Sequence, residues 1–428
     1  MRRVRSETLN GQSAKGQSAK GQSANELSQL GIPLDDGTAM LALIQSLIPL
    51  GLKAVEEALS REVTVIAGRR YAHEDDHPDI VRWGTQPGSI YVADQKLPIR
   101  VPRVRDQLAG REIALPTYQQ FQTPRSLDVG LFRRVLGGLS CREYEAAAET
   151  VPEAFGLARS SVSRRFIRAS ARSLRDLQER RLDDREWLVL LLDGKTFARD
   201  QLVIALGVTR SGEKRILGII QTATENKSVC AAFLRELQER GFIATRGLLV
   251  VLDGAKGLRA AVRDVFGDDV PVQRCQFHKR QNVLSYLPKC DQPAWSRKLQ
   301  AAYSHTTYSD ARRALQRLVR ELTVVNASAA RSLEEGLEET LTLHRLGVFP
   351  ELGVSFKTTN LIESVMSVVE AKTAKVDRWR TSDQKLRWCA AALLAVEKQF
   401  RRVRGYDHMP LLEKALATKI TLSTKRAA

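Results

Sequence analysis

The stretch Trp187-Leu-Val-Leu-Leu-Leu-Asp193-Gly194-Lys195 delivers six apolar residues to an aspartate, then to glycine and lysine. A run that short, unbroken by polar residues and closed by glycine, reads as a buried strand. Gly247-Leu-Leu-Val-Val-Leu252 repeats the pattern, followed by Asp253, Gly254 and, shortly after, Lys256. A lone carboxylate costs several kcal/mol to desolvate, so two of them at the ends of buried strands invite a shared cation. A third acid, Glu363, opens a helix-like stretch 110 residues beyond Asp253.

Around these runs the periodicity gives an element order. Residues 187–198, 201–209 and 214–222, joined by Arg199-Asp200 and Arg210-Ser-Gly-Glu213, read as a three-strand antiparallel meander. A helix from Ser228 to Arg240 carries Val229, Phe233, Leu234 and Leu237 as its apolar positions. Strand 247–252 follows, then a helix from about Lys256, a short strand at Val270-Pro-Val272 and a helix near Phe277. Three strands, then α, β, α, β, α, is the order of a ribonuclease H-like fold in the α/β class. Residues 285–352 lack strand runs and read as a helical insertion. A last helical block, within 353–428, closes the core.

Upstream, Met40, Leu43, Ile44, Leu47, Ile48, Leu52, Val55 and Leu59 fit one face of a helix interrupted near Pro49-Leu-Gly51. Within 31–126 a small β-rich region follows, with a hairpin expected around the turn Asp94-Gln-Lys96. His73 and His77 have no second ligand pair and read as a solvated loop. Residues 127–182 turn helical, and Phe155-Gly-Leu-Ala-Arg-Ser-Ser-Val-Ser-Arg-Arg-Phe-Ile167 has a helix-turn-helix layout. There Arg159, Ser160, Ser161, Ser163, Arg164 and Arg165 would meet DNA, with Val162 and Phe166 in the core; the bland alternative is a helical hairpin with serine caps. Residues 1–30, with three near-identical repeats from Gly11, have nothing apolar to bury and read as a flexible basic arm.

The 428 residues carry 67 Lys+Arg against 49 Asp+Glu, a formal net charge of +18. A polyanion is the partner such a surface fits. No stretch approaches the ~20 apolar residues of a membrane span, and no secretory signal is evident. Five scattered cysteines do not form a disulfide framework, so a cytoplasmic, nucleoid-associated location is expected.

Two strand-end aspartates and a distal glutamate suit two Mg²⁺ ions about 3.5–4 Å apart acting on a phosphodiester. Singly, each acid has a plainer explanation: Asp193-Gly194 and Asp253-Gly254 could initiate turns, and Glu363 stands at capping-box spacing from Asn360. Gly194-Lys195-Thr196 is not a nucleotide-binding P-loop, because position 189 is Val rather than Gly, and no nucleotide cofactor is expected. Cys275-Gln-Phe-His278 has half the spacing of a zinc finger and no second pair at suitable distance.

Leu192-Asp-Gly-Lys-Thr196, Leu252-Asp-Gly-Ala-Lys-Gly257, Gln273-Arg-Cys-Gln-Phe-His278 and Thr358-Thr-Asn-Leu-Ile-Glu363 resemble, in order, the signature blocks of mutator-type insertion-sequence transposases, relatives of the eukaryotic Mutator elements. The resemblance implies a DDE catalytic domain with a helical insertion between the second aspartate and the glutamate. It makes Asp193, Asp253 and Glu363 the catalytic metal ligands, for two Mg²⁺ with Mn²⁺ as a substitute. Cys275 and His278 become a supporting motif that is not a zinc site. The N-terminal helical region would bind terminal inverted repeats on double-stranded DNA, in a homodimer or larger assembly. Lys195, Lys256, Arg274, Lys279, Arg280, Lys357 and Asn360, beside these blocks, are further candidates for DNA contact. One departure is Glu370-Ala-Lys372, where the family often carries arginines. Phosphate contacts would shift to Lys372, Lys375, Arg378 and Arg380, with Trp379 available to stack on a base. A helix-turn-helix repressor with an inactive core, or a structure-specific nuclease, would fit many of the same residues.

Overall fold

The computed structural model describes residues 37–71, 79–92, 95–122, 127–144, 157–197, 200–222, 226–376 and 378–427. The repeat-bearing arm, His73, His77 and the turn at Phe155-Gly156 lie outside them. The chain forms two compact units, one reaching Leu127, the other comprising Asp128–Ala147 and Leu157–Ala428.

The first unit holds α1 (Gly37–Ala67), β1 (Ile80–Val92), β2 (Gln95–Asp106), β3 (Arg111–Ile113) and α2 (Pro116–Gln122). Leu59, Val63 and Ala67, at helical spacing, pack on Ile90, Leu97, Ile99, Val101 and Val104 of the hairpin. The expected break at Pro49 does not occur. A proline inside a helix forfeits one i→i−4 hydrogen bond, and here a 31-residue helix absorbs it. The hairpin forms, with Gln95 and Lys96 pairing with Val92 and Tyr91 as strand residues; Asp94 lies outside the described residues.

The second unit is built on a five-stranded sheet of β4 (Trp187–Phe197), β5 (Asp200–Thr209), β6 (Lys214–Thr222), β7 (Leu249–Leu252) and β8 (Val272–Arg274), in the order β6-β5-β4-β7-β8. β4, β5 and β6 run antiparallel; β7 and β8 join parallel to β4. Central β4 is buried from Trp187 to Asp193, as a strand covered on both faces must be. The indole of Trp187 lies over Gly207 of β5, where an added Cβ would come within 2.6 Å of the ring. β8 begins two residues later than expected. Pro271 has no N–H for the ladder, but its carbonyl accepts from Val250, and pairing starts at Val250↔Val272.

One face of the sheet packs on α5 (Lys227–Glu239) and α6 (Lys256–Phe266) through Phe233, Leu234, Leu237, Leu258 and Val262. α3 (Leu127–Leu136) and the 21-residue α4 (Arg159–Glu179) belong to the same unit. β8 leads into α7 (Gln276–Leu284), then into α8 (Gln292–Tyr303), α9 (Tyr308–Val325), α10 (Ala327–Glu334), α11 (Leu337–Thr340), α12 (Thr342–Arg345) and α13 (Phe349–Phe356). This helical insertion has its own core around Leu299, Leu315, Leu322 and Leu333. It also closes the sheet's β8 edge. Thr342 Oγ1 donates to the Val272 carbonyl at 2.6 Å, and the Leu343 amide donates to Gln273 Oε1 at 2.9 Å. Exposed sheet edges invite wrong pairing, and this one is spoken for. α14 (Asn360–Thr373), α15 (Ser382–Glu397) and α16 (Met409–Ala427) complete the unit. Among the described residues no helix is long and apolar enough to cross a membrane.

Candidate active site

Asp193 and Asp253 owe their proximity to strand register. Leu192 pairs with Leu252 across the parallel β4–β7 ladder, and neighbouring strands lie about 4.8 Å apart. Asp193 is the next residue of β4, and Asp253 the first residue past the end of β7. Asp193 is 4% exposed; Asp253 is half-buried, and its Oδ1 accepts from the Ala255 amide at 3.0 Å. The turn that the Asp-Gly pair suggested is therefore real, and it uses only one of the two carboxylate oxygens. Gly254 follows in the left-handed region at φ +107°, beneath the Arg274 guanidinium, which a Cβ there would overlap.

Burial, then the charge of Asp253, with a further contribution from Glu363, push the Asp193 carboxyl up to about 7, against the pull of His278 and Lys195. Thus a group on α14, another on α7 and two strand ends act electrostatically on one carboxyl.

Glu363 sits in the first turn of α14. It does not close a capping box with Asn360: the cap is Thr359, whose hydroxyl makes no capping bond. That hydroxyl, fully buried, donates instead to Glu363 Oε1 at 3.0 Å, and lies 3.4 Å from His278 Nδ1 and 3.6 Å from Cys275 Sγ. The His278 amide donates to Cys275 Sγ at 3.5 Å, and Nε2 stands 3.8 Å from Glu363 Oε1. Cys275, His278 and Glu363 offer ligand atoms within 4.8 Å of one another; neither aspartate joins that tight group. The Cys275 hydrogen bond, opposed by burial and helped by the charges of Cys275, Asp193 and Glu363, pushes His278 up to about 9. For Cys275, burial raises the thiol, but hydrogen bonds and charge from His278, with Thr359, outweigh it and lower the net value. A raised imidazole and a lowered thiol thus stand together behind the glutamate.

The residues expected to meet DNA divide by burial. Arg159, Ser160, Arg164, Lys256, Lys357, Asn360, Lys375, Arg378 and Arg380 are exposed. Ser161, Ser163, Lys195, Arg280 and Lys372 are half-buried; Lys195 Nζ lies 3.8 Å from Glu370, and the Arg280 guanidinium 5.6 Å from the Phe277 ring. Trp379 is half-buried in an aromatic cluster, 5.2 Å from Phe197 and 6.3 Å from Trp388.

Three of the expectations are corrected. Arg165 is 6% exposed on the core side of α4. Arg274, 5% exposed, donates to the Glu335 carbonyl, with the Glu335 carboxylate 3.5 Å away. Lys279 is fully buried; its ammonium donates to the carbonyls of Ser332 (2.6 Å) and Glu335 (2.5 Å), and burial pushes it down to about 8. Arg274 and Lys279 fasten the end of α10 to β8 and to α7 rather than face solvent. Lys279 falls three residues after Gln276 and four before Val283, both buried on α7; that spacing was the signal in the sequence. The roles of Thr359, Gln273 and Gln276 had no such signal.

Residues 43–402 match the family described as Transposase, Mutator family. The chain is 26% identical over 291 residues to the transposase for insertion sequence element IS256 in transposon Tn4001 of Staphylococcus aureus, covering 64% of this chain and 70% of that protein. It is 33% identical over 175 residues to the transposase for insertion sequence element IST2 of Acidithiobacillus ferrooxidans, 41% and 57% of the two. The transposase for insertion sequence element IS406 of Burkholderia multivorans is 24% identical over 365 residues, 82% of this chain and 90% of its own length. The family match extends from α1 through the sheet, the helical insertion and Glu363, and the chain belongs to the Mutator family of transposases.

Proposed function

We propose that this chain is an insertion-sequence transposase that binds the terminal inverted repeats of its element, cleaves DNA at those ends and joins the freed 3′-hydroxyl to target DNA. The observation that carries the reading is the parallel Leu192↔Leu252 register, which sets Asp193 beside Asp253 while the charge of Glu363 bears on the same carboxyl. Family membership supports the transposase activity. The sheet order, three antiparallel strands extended by two parallel ones, supports a ribonuclease H-like core.

The donor set fits magnesium. All three acids offer hard oxygen ligands, and Asp193 is raised first by burial and then by the negative charge of Asp253 and Glu363, a charge that a divalent cation would offset. Asp193, Asp253 and Glu363 would hold two Mg²⁺, with Mn²⁺ as a substitute. When bound, such ions supply Lewis acidity at the attacked phosphate and stabilise the departing oxygen. The protein's own part is positioning and proton control. Asp193 gives up its proton as the local negative charge is offset. His278 and Thr359 hold Glu363 from behind. Lys195, half-exposed beside Asp193, is placed to meet a phosphate. Water, and then the DNA 3′-hydroxyl, attacks phosphorus while the bond to the departing strand breaks, with no covalent protein–DNA link. Holding two ends requires at least two copies of the chain.

Cleavage of a duplex carrying the DNA that flanks the coding sequence tests the proposal. Nicks at the element's ends and joined products are expected in Mg²⁺ or Mn²⁺ and not in EDTA. End binding without nicking would make the protein a repressor with an inactive core. Cutting that ignores the end sequence would make it a nuclease.

Thr359→Val should raise the Mg²⁺ concentration needed for half-maximal cleavage by roughly 10–100-fold, the usual range for a hydrogen-bond partner behind a metal ligand. Thr359→Ser, which keeps the hydroxyl, should cost far less. Equal activity of the Thr359→Val variant and the wild-type protein across the Mg²⁺ titration would remove Thr359 from the site's machinery.

A further inference from the structure

Four arginines of α4 form a row of which only Arg164 figures among the DNA contacts expected above. Arg164, Arg168, Arg172 and Arg175 follow one another at spacings of four, four and three. At about 100° and 1.5 Å per residue, they occupy an arc of roughly 80° and a length of about 16 Å. All four are exposed, and among the described residues none has a hydrogen-bond or ion-pair partner. Asp176 and Glu179, on the same helix, do not pair with them. Like charges three and four apart repel, so nothing among the described residues accounts for this row.

The opposite face of α4 is sealed. Val162, Phe166, Ser170, Leu174 and Leu177 are buried. Phe166 stacks 5.6 Å from Phe132 on α3 and lies 4.4 Å from Trp388 on α15. Arg387 of α15 donates to Ser170 Oγ at 2.9 Å, and Arg240 donates to the Leu177 carbonyl at 3.0 Å. The helix cannot roll to trade one face for the other, so the arginine row keeps a fixed place relative to the sheet that carries Asp193.

We propose that the solvent face of α4 is a phosphate-binding ridge along which duplex DNA lies, gripped through its backbone by Arg164, Arg168, Arg172 and Arg175. The proposal rests on the transposase reading and names how that enzyme holds its substrate. Over about 16 Å of axis a duplex presents roughly five phosphates per strand. The guanidinium fork suits phosphate oxygens. A helix that reads bases does so with its N-terminal residues pointed into the major groove. This row instead runs over about three turns, so its contribution is independent of sequence. It also differs from the helix-turn-helix expectation, in which Arg165, now seen to be buried, would have been a contact.

The test is equilibrium binding of the full-length protein to two duplexes, one carrying the element's end and one scrambled, across a range of salt concentrations. Changing the four arginines to glutamine should lower the slope of log K against log salt by about 3–4, at about 0.9 per phosphate contact. Affinity should fall at least tenfold, by the same factor for both duplexes. The single change Arg168→Gln should lower the slope by about 1, and replacing all four by lysine should leave the slope near that of wild type. Unchanged slope and affinity in both glutamine variants would overturn the ridge, as an acidic protein partner on this face would predict. A loss confined to the end duplex would overturn it too, in favour of base reading. Failure of the transposase reading looks different: wild-type protein would then show no preference for the element's ends and no cleavage.

Discussion

Replacing Asp193 with asparagine is expected to abolish strand cleavage and, in the absence of divalent metal, to make the protein harder to unfold. On the proposed reading Asp193 would be shared by two catalytic ions, and its loss would forfeit several kcal/mol of transition-state stabilisation, a rate loss of about 10³-fold or more. The gain in stability comes from the same side chain. An aspartate ordinarily titrates at 3.8, and here burial and Asp253 push it up to about 7. A raised carboxyl means the folded state holds the proton more tightly than the unfolded chain does. Folding is therefore penalised as pH rises from about 4, and in full above about 7. At roughly 1.4 kcal/mol per pH unit the penalty is on the order of 2–4 kcal/mol. Urea unfolding should show the variant more stable than wild type at pH 8, with the gap closing towards pH 4. Mg²⁺ should also narrow the gap, by stabilising wild type alone. A variant less stable than wild type at pH 8 without Mg²⁺ would mean that Asp193 is not the strained carboxyl described above.

Gln273→Leu should lower stability by about 3 kcal/mol while leaving Asp193, Asp253 and Glu363 in place, at about 1–3 kcal/mol for each buried polar group left unpaired. Gln273 is fully buried. Its Oε1 accepts from the Leu343 amide, and its Nε2 donates to the carbonyls of Thr340 and Arg274, both at 2.8 Å. Thr340 keeps a second donor in Gln276 Nε2 at 2.9 Å, so the substitution orphans the Leu343 amide and the Arg274 carbonyl outright. Gln276→Leu, which orphans neither, should cost less. Comparing the two by denaturant unfolding, with amide exchange at Leu343 as a local reporter, tests the account. Equal losses in both variants would show that Gln273 is not the principal fastener of the insertion.

The element order was legible because β4, β5 and β7 are compact apolar runs, β7 between Gly247 and Gly254, and because the helix between β6 and β7 shows its own period. The two aspartates were legible for a related reason: a charge at the end of a run such as Leu188–Leu192 breaks the pattern conspicuously. Side-chain destinations were harder to read. Arg274 and Lys279 look like surface cations until helix periodicity places Lys279 on the buried stripe of α7 with Val283. Gly254 and Gly336, both at positive φ, leave the room that lets Arg274 lie flat between them. The start of β8 depended on which side of Pro271 could pair, and that is decided by the neighbouring strand. Thr359 was hidden because a hydroxyl at a helix start ordinarily caps, and nothing local reveals that this one is turned inward.

The Thr359 hydroxyl carries a single hydrogen, yet it stands among three atoms able to receive one: Glu363 Oε1, His278 Nδ1 and Cys275 Sγ. With His278 pushed up to about 9, its Nδ1 is a giver, and the threonine's hydrogen goes to the glutamate. One hydroxyl thus stands where a ring on α7 and an oxygen on α14 meet. Aligning the acid is in this sense a matter of counting hydrogens, and a methyl group in place of the hydroxyl would leave Glu363 Oε1 without this one.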